Sequence, residues 1–157
     1  MLPKDQGLLE QRLEETIIQL IEKGVIYFYA GGALGFDMLA EKTIIRLKKT
    51  YPNIQLFLAL PCVHHEAKWK DAAVEQFKRI TRKADRVIYT STEHYFDGCM
   101  QQRNRYMVDR SGICVCYLHN RASGTGYTVD YARKKGLPVF NLYDNLLRYT
   151  LNQPRIL

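Results

Sequence analysis

Apolar residues along this chain switch between two spacings. Leu9, Leu13, Ile17, Leu20 and Ile21 recur at helical intervals, and Gly24 stops the pattern. VIYFY (25–29) follows as a short apolar, β-branched and aromatic run, the mark of a buried strand. Phe36, Leu39, Ala40, Ile44 and Leu47 return to helical spacing until Tyr51-Pro52-Asn53 breaks it. IQLFLAL (54–60) predicts a second strand, ended by Pro61. Trp69, Ala73, Phe77 and Ile80 predict a helix, and RVIYT (86–90) a third strand. Gly98 to Arg110 reads as helical, with Met100, Met107 and Tyr106 facing inward. ICVCYL (113–118) is a fourth strand, TVDYARKKG (128–136) a short helix and LPVFNLY (137–143) a fifth strand.

Strands and helices alternate, and the strands are continuously apolar rather than alternating. That combination belongs to a parallel sheet covered on both faces. The expected fold is α/β: a Rossmann-like, doubly wound, mainly parallel sheet of about five strands. At 157 residues the chain fits one domain, taken as residues 1–143, with a tail over 144–157 that reads as a final amphipathic turn or two.

Composition narrows the classes. The formal charge is +7 and the pI about 9.3, which favours anionic partners. Lys and Arg are nevertheless dispersed, mostly at expected helix ends, where cations complement the helix dipole. A nucleic-acid stripe is therefore the lesser reading. No apolar run approaches the roughly 20 residues that span a bilayer, and MLPKDQG lacks a signal-peptide core, so the expectation is a cytoplasmic protein without a membrane partner. The four cysteines, Cys62, Cys99, Cys114 and Cys116, form no C-x-x-C and read as reduced thiols. His64, His65 and Glu66 beside Cys62 lack a second ligand cluster, and His94 and His119 read as exposed loop residues. No metal and no cofactor is expected. Nucleophile-elbow, phosphate-loop and zincin motifs are absent.

The sequence AGGALGFDMLA (30–40) sets glycines between a strand and a helix, and SGTG (123–126) does so again. Glycine permits tight turns and close backbone approach. Free N–H groups and the dipole at a helix start then favour an anion such as phosphate. Close helix–strand packing also demands glycine. Asp37 either stabilises the helix start or accepts hydrogen bonds from ribose hydroxyls.

GGALGFDMLA, LPCVHHEAKW, YFDGCMQQRNRYMVD and SGTGYTVDYARKKGLPVFNL, in that order, resemble the YpsA-like family of the SLOG superfamily, up to about Tyr143. The superfamily includes Lonely-guy phosphoribohydrolases and the DNA-processing protein A family. The resemblance implies a Rossmann-like fold and a nucleotide or nucleotide-derived ligand. It places Gly31, Gly32, Gly35 and Asp37 in a first ligand loop. Tyr95, Arg103 and Asn104 lie at the next strand edge, and Ser123, Gly124, Thr125 and Thr128 in a phosphate-facing loop. Trp69 matches an aromatic position with an equally good packing role.

Two departures matter. Relatives begin with a strand ending in a T-G-H-R-P-like turn, and this sequence starts about where that turn finishes. In a sheet of order 3-2-1-4-5 type that strand would be central, so its absence would expose two strand edges and favour a homodimer. Secondly, Lonely-guy enzymes carry a PGGxGTxEE-like pattern where this chain reads SGTGYTVDY. Asp130 would stand in for the acid and Arg103 for its arginine partner. The expected function is binding of an ADP-ribose-like ligand by a sensor or regulatory module. The alternatives are N-glycosidic cleavage of a nucleoside monophosphate by Asp130 with Arg103, and DNA binding.

Overall fold

A computed structural model describes residues 6–119 and 122–144. The chain runs α1 (Gln6–Glu22), β1 (Tyr27–Ala30), α2 (Phe36–Leu47), β2 (Gln55–Leu60), α3 (Asp71–Lys83), β3 (Arg86–Tyr89), α4 (Cys99–Asp109), β4 (Cys114–Cys116), α5 (Gly124–Lys134) and β5 (Val139–Asn141). Every ladder is parallel. This is the α/β, Rossmann-like arrangement that the alternation of spacings predicts.

The periodic residues do what their spacing requires. Leu9, Leu13, Ile17 and Leu20 form the buried stripe of α1. They join Leu56, Leu58 and Leu60 of β2, the middle strand of its sheet, in the main core. Gly24, at φ 100°, ends the α1 pattern in a backbone state that other residues rarely adopt. Asp71 opens α3 and Arg82 and Lys83 close it, each charge complementing the local dipole.

Helix α1 packs on α2, α2 on α3, and α4 on α5. Right-handed crossovers place α2 and α3 on one face as the chain steps from β1 to β3. Helix α4 carries the chain back past β1, so α4 and α5 cover the other face. The arrangement is doubly wound, and the direction of the chain reverses between β1 and β4.

Four expectations need correction. The five strands form two sheets, β1-β2-β3 and β4-β5, rather than one. β1 and β4 share no ladder, because a slot separates them. β4 and β5 are three residues each, shorter than their apolar runs, since each has a paired neighbour on one side only. Helix α5 starts at Gly124, four positions before Thr128, so its glycines lie within its first turn. On α4 the buried positions are Cys99, Arg103 and Val108, whereas Met100 is 36% exposed. The reading of the tail as an amphipathic turn concerns residues that lie, from 145 onward, outside the described ones.

Candidate functional site

The loop after β1 is built around buried charge. Glu41, on the second turn of α2, is fully buried. Its Oε2 accepts the Gly32 N–H at 2.9 Å, and its Oε1 has no partner. Asp37 lies one turn earlier on the same face and accepts the Ala33 N–H at 3.3 Å. Arg103 reaches in from α4, only 4% exposed. Its Nη1 donates to the Gly31 carbonyl and, at 3.2 Å, to the Ala59 carbonyl, while Nε donates to Asn104 Oδ1 at 2.7 Å. His65 Nε2 sits 3.1 Å from the Gly32 carbonyl, its ring edge-on to Trp69 and Phe77. The Gly31–Gly32 backbone is thus gripped by a carboxylate, a guanidinium and an imidazole.

These groups shift one another. Burial pushes the Asp37 carboxyl above its usual range, against the opposing pull of Arg103 and two backbone N–H groups. Burial, reinforced by the Asp37 charge, holds Glu41 well above the ordinary glutamate range. Burial pulls His65 down.

Three of the glycines have different reasons to be glycine. A Cβ on Gly31 would lie 2.6 Å from Arg103 Nη1 and 2.8 Å from Asp37 Oδ2. A Cβ on Gly32 would lie 2.5 Å from Leu60 Cδ2, and its φ is 69°. Gly35 has φ 84° as the N-cap of α2, with open space where a side chain would be.

The second loop faces the first. Ser123 caps α5, its Oγ accepting the Gly126 N–H at 3.2 Å. Gly124 has open space beside it. A cavity of about 460 Å³ lies between the loops, lined by Gly35, Asp37, Arg103, Asn104, Gly124 and Thr125 among others. Gly31 and Thr128 also border it, and Thr128 Oγ1 donates to the Gly124 carbonyl at 3.1 Å. Gly32 and Ser123 do not border it.

Two expected residues lie elsewhere. Tyr95 is 64% exposed and does not border the cavity. Asp130 is exposed on α5, also away from the cavity lining, whereas Arg103 is buried against β1 and β2. Glu41 escaped the sequence reading. Its signal was a charged residue three positions from both Met38 and Ile44, on the buried face of α2. Among the described residues no group of His, Cys, Asp and Glu could hold a metal ion, and no helix is long and apolar enough to cross a membrane.

A doubly wound parallel sheet with two helix-opening glycine loops at its carboxyl edge defines a Rossmann-like α/β protein. The chain belongs to the YpsA family: the model described as the YspA SLOG family matches residues 4–138. The UPF0398 protein BH1768 of Halalkalibacterium halodurans is 32% identical over 130 residues, covering 81% of this chain and 68% of the relative. The SPbeta prophage-derived protein YoqJ of Bacillus subtilis is 31% identical over 138 residues, covering 80% and 81%. The UPF0398 protein OB1025 of Oceanobacillus iheyensis is 26% identical over 141 residues, covering 85% and 74%.

Proposed function

We propose that the chain binds a nucleotide-derived ligand of the ADP-ribose type in the cavity between the two loops, as a sensor or regulatory module. The observation that carries this reading is the pair of helix starts, α2 and α5, facing one cavity of about 460 Å³ at the carboxyl edge of parallel strands. That volume is within the usual range for small-molecule sites. Phosphate oxygens fit the first-turn N–H groups of both helices, where Gly35 and Gly124 leave the backbone open. Asp37, on the cavity wall, is suited to sugar hydroxyls.

A thermal-shift panel of ADP-ribose, NAD, AMP, cyclic nucleotides and phosphate tests it. Ligand at about 100 times its Kd adds roughly 2.7 kcal/mol of stability, and so about 5–11 °C in a domain of this size. Gly124→Leu fills open space and should keep the fold while abolishing the shift. No shift with any of the panel, or an equal shift in Gly124→Leu, would sink the reading.

One observation favours a second reading, N-glycosidic cleavage. Asp37 carries a raised carboxyl into the cavity beside Arg103. In this reading Asp37, rather than the exposed Asp130, protonates the departing base while water adds to the sugar carbon. Free base released from AMP should vanish in Asp37→Asn and persist in Asp130→Asn. The absence of any release by folded protein rules it out.

A further inference from the structure

Two free thiols meet where the end of β2 lies against the start of α4. Cys62 follows Pro61 at the end of β2, and Cys99 is the first residue of α4. Both are fully buried, and the Cys62 thiol donates a hydrogen bond to the Cys99 sulfur. The segments around them are tied together independently of the sulfurs. The Val63 N–H donates to the Glu93 carbonyl at 2.9 Å, the His64 and His94 rings stack with centroids 6.0 Å apart, and Arg103 Nη1 donates to the Ala59 carbonyl at 3.2 Å. His64, Gly98 and Met100, each within two positions of one of the thiols, are exposed, so the pair lies just beneath the surface. Neither thiol borders the cavity between the glycine loops. The other two cysteines, Cys114 and Cys116, are less well placed for a disulfide. Alternate residues of a strand have Cα atoms about 6.6 Å apart, near the upper limit that a disulfide spans.

We propose that Cys62 and Cys99 are an oxidative modification site, forming a reversible disulfide when the folded chain meets a peroxide. Cys99 accepts the Cys62 S–H bond and opens a helix, so it is the sulfur placed to attack. Burial pushes the Cys62 thiol up, so Cys62 keeps its proton until the second step. In the first step the Cys99 sulfur gives its proton to solvent and attacks one peroxide oxygen. The O–O bond breaks, the other oxygen leaves as hydroxide and is protonated to water, and Cys99 becomes a sulfenic acid. In the second step the Cys62 sulfur loses its proton and attacks the Cys99 sulfur. The S–O bond breaks, and the departing oxygen takes up a proton and leaves as water. Two thiols and one hydrogen peroxide thus give one disulfide and two waters, with two electrons passing from sulfur to oxygen. A dithiol reverses the step by thiol–disulfide exchange. The bond joins the segment that carries His65 to the helix that carries Arg103, two of the side chains that grip the Gly31–Gly32 backbone. It also closes a loop containing α3 and β3, which restrains the unfolded chain. This inference is independent of the ligand reading.

Hydrogen peroxide added to the folded full chain tests it. The remaining thiols are blocked with N-ethylmaleimide, and the chain is digested and weighed without reduction. Two peptides joined through Cys62 and Cys99, lighter together by two hydrogen atoms, should appear. Free thiols, counted after unfolding, should fall from four to two, and dithiothreitol should restore all four. The oxidised chain should also have a higher urea midpoint than the reduced one. The unaltered chain carries the test, so no variant has to fold. Four results would each overturn the proposal. They are four free thiols throughout; Cys114 joined to Cys116 in place of the expected pair; a Cys62–Cys99 link that forms only when peroxide is added in urea; or sulfinic acid at either sulfur, which dithiothreitol does not reverse.

Discussion

Replacing Arg103 by methionine removes the buried cation that faces the Asp37 and Glu41 carboxyls and keeps much of the side-chain volume. Arg103 satisfies the Gly31 and Ala59 carbonyls and stands beside the Asp37 and Glu41 carboxyls. Hydrogen bonds from a charged donor contribute about 1.5–3 kcal/mol each. The bonds to Gly31 and Ala59 are both lost with one side chain and do not add in full, so the expected loss is about 3–5 kcal/mol. At about 2–4 °C per kcal/mol, the midpoint falls by roughly 6–20 °C. The loss should depend on pH. Both carboxyls already have folded-state values above their unfolded ones, and removing the cation raises them further. Between the unfolded value, about 4, and the raised folded value, the native state holds more protons. Its stability therefore falls as pH rises. The penalty of Arg103→Met is accordingly greatest above the folded values and shrinks as the pH drops through them. Urea unfolding at neutral and mildly acidic pH measures both effects. Adding Glu41→Gln, which removes one of the stranded charges, should recover part of the loss. A penalty under about 1 kcal/mol, or one equal at both pH values, would refute the buried-charge account.

Glu41→Gln alone keeps an oxygen for the Gly32 N–H and removes the charge. Its stability should fall less steeply than that of the parent as pH rises from the unfolded glutamate value, and an unchanged slope in urea titrations would count against a raised carboxyl. Gly31→Ala puts a methyl group 2.6 Å from Arg103 Nη1 and should cost about 1–3 kcal/mol by overpacking, read as a lower urea midpoint. Asp85→Ala takes the acceptor from the buried Leu56 N–H at 2.8 Å and should cost about 1–3 kcal/mol. Burial opposes the charge of Asp85, but Lys48 and the Leu56 N–H outweigh it and hold its carboxyl below the usual range. The Asp85 contribution is therefore present above the unfolded value and fades as pH falls through the folded one, so a difference from the parent that survives in strong acid would contradict it.

Long apolar runs were the legible part of the fold. β2 could be read from IQLFLAL because a middle strand, buried on both faces, must be apolar throughout. β4 and β5 were overextended for a related reason. ICVCYL and LPVFNLY have the composition of a covered strand, but pairing continues only as far as the neighbour reaches, and one neighbour is short while the other edge faces the slot. The start of α5 was hidden because SGTG has turn composition. Helix N-termini tolerate it, since the first N–H groups need capping rather than propensity, and Ser123 supplies that cap.

The site was legible at its loops and illegible behind them. Sequence marks a glycine turn but does not tell which glycine faces a ligand. Spatial neighbours make that division. Gly31 and Gly32 are glycines because Arg103, Asp37 and Leu60 occupy the positions beside them, whereas Gly35 and Gly124 have nothing within 4 Å. Close packing therefore accounts for the inner pair, and the proposed approach of a ligand concerns the outer two. Glu41 explains why the inner pair is so tightly held. A buried carboxylate requires donors, the Gly32 N–H is one, and Arg103 crosses from α4 to compensate the charge while tying down the Gly31 carbonyl. The loop is thus fixed from its inner side by the Glu41 carboxyl and the Arg103 guanidinium, and its outer side, with the first turn of α2, is left free. In the proposed anion site that division of labour would help, since N–H groups held in place before binding need little reordering when a ligand arrives.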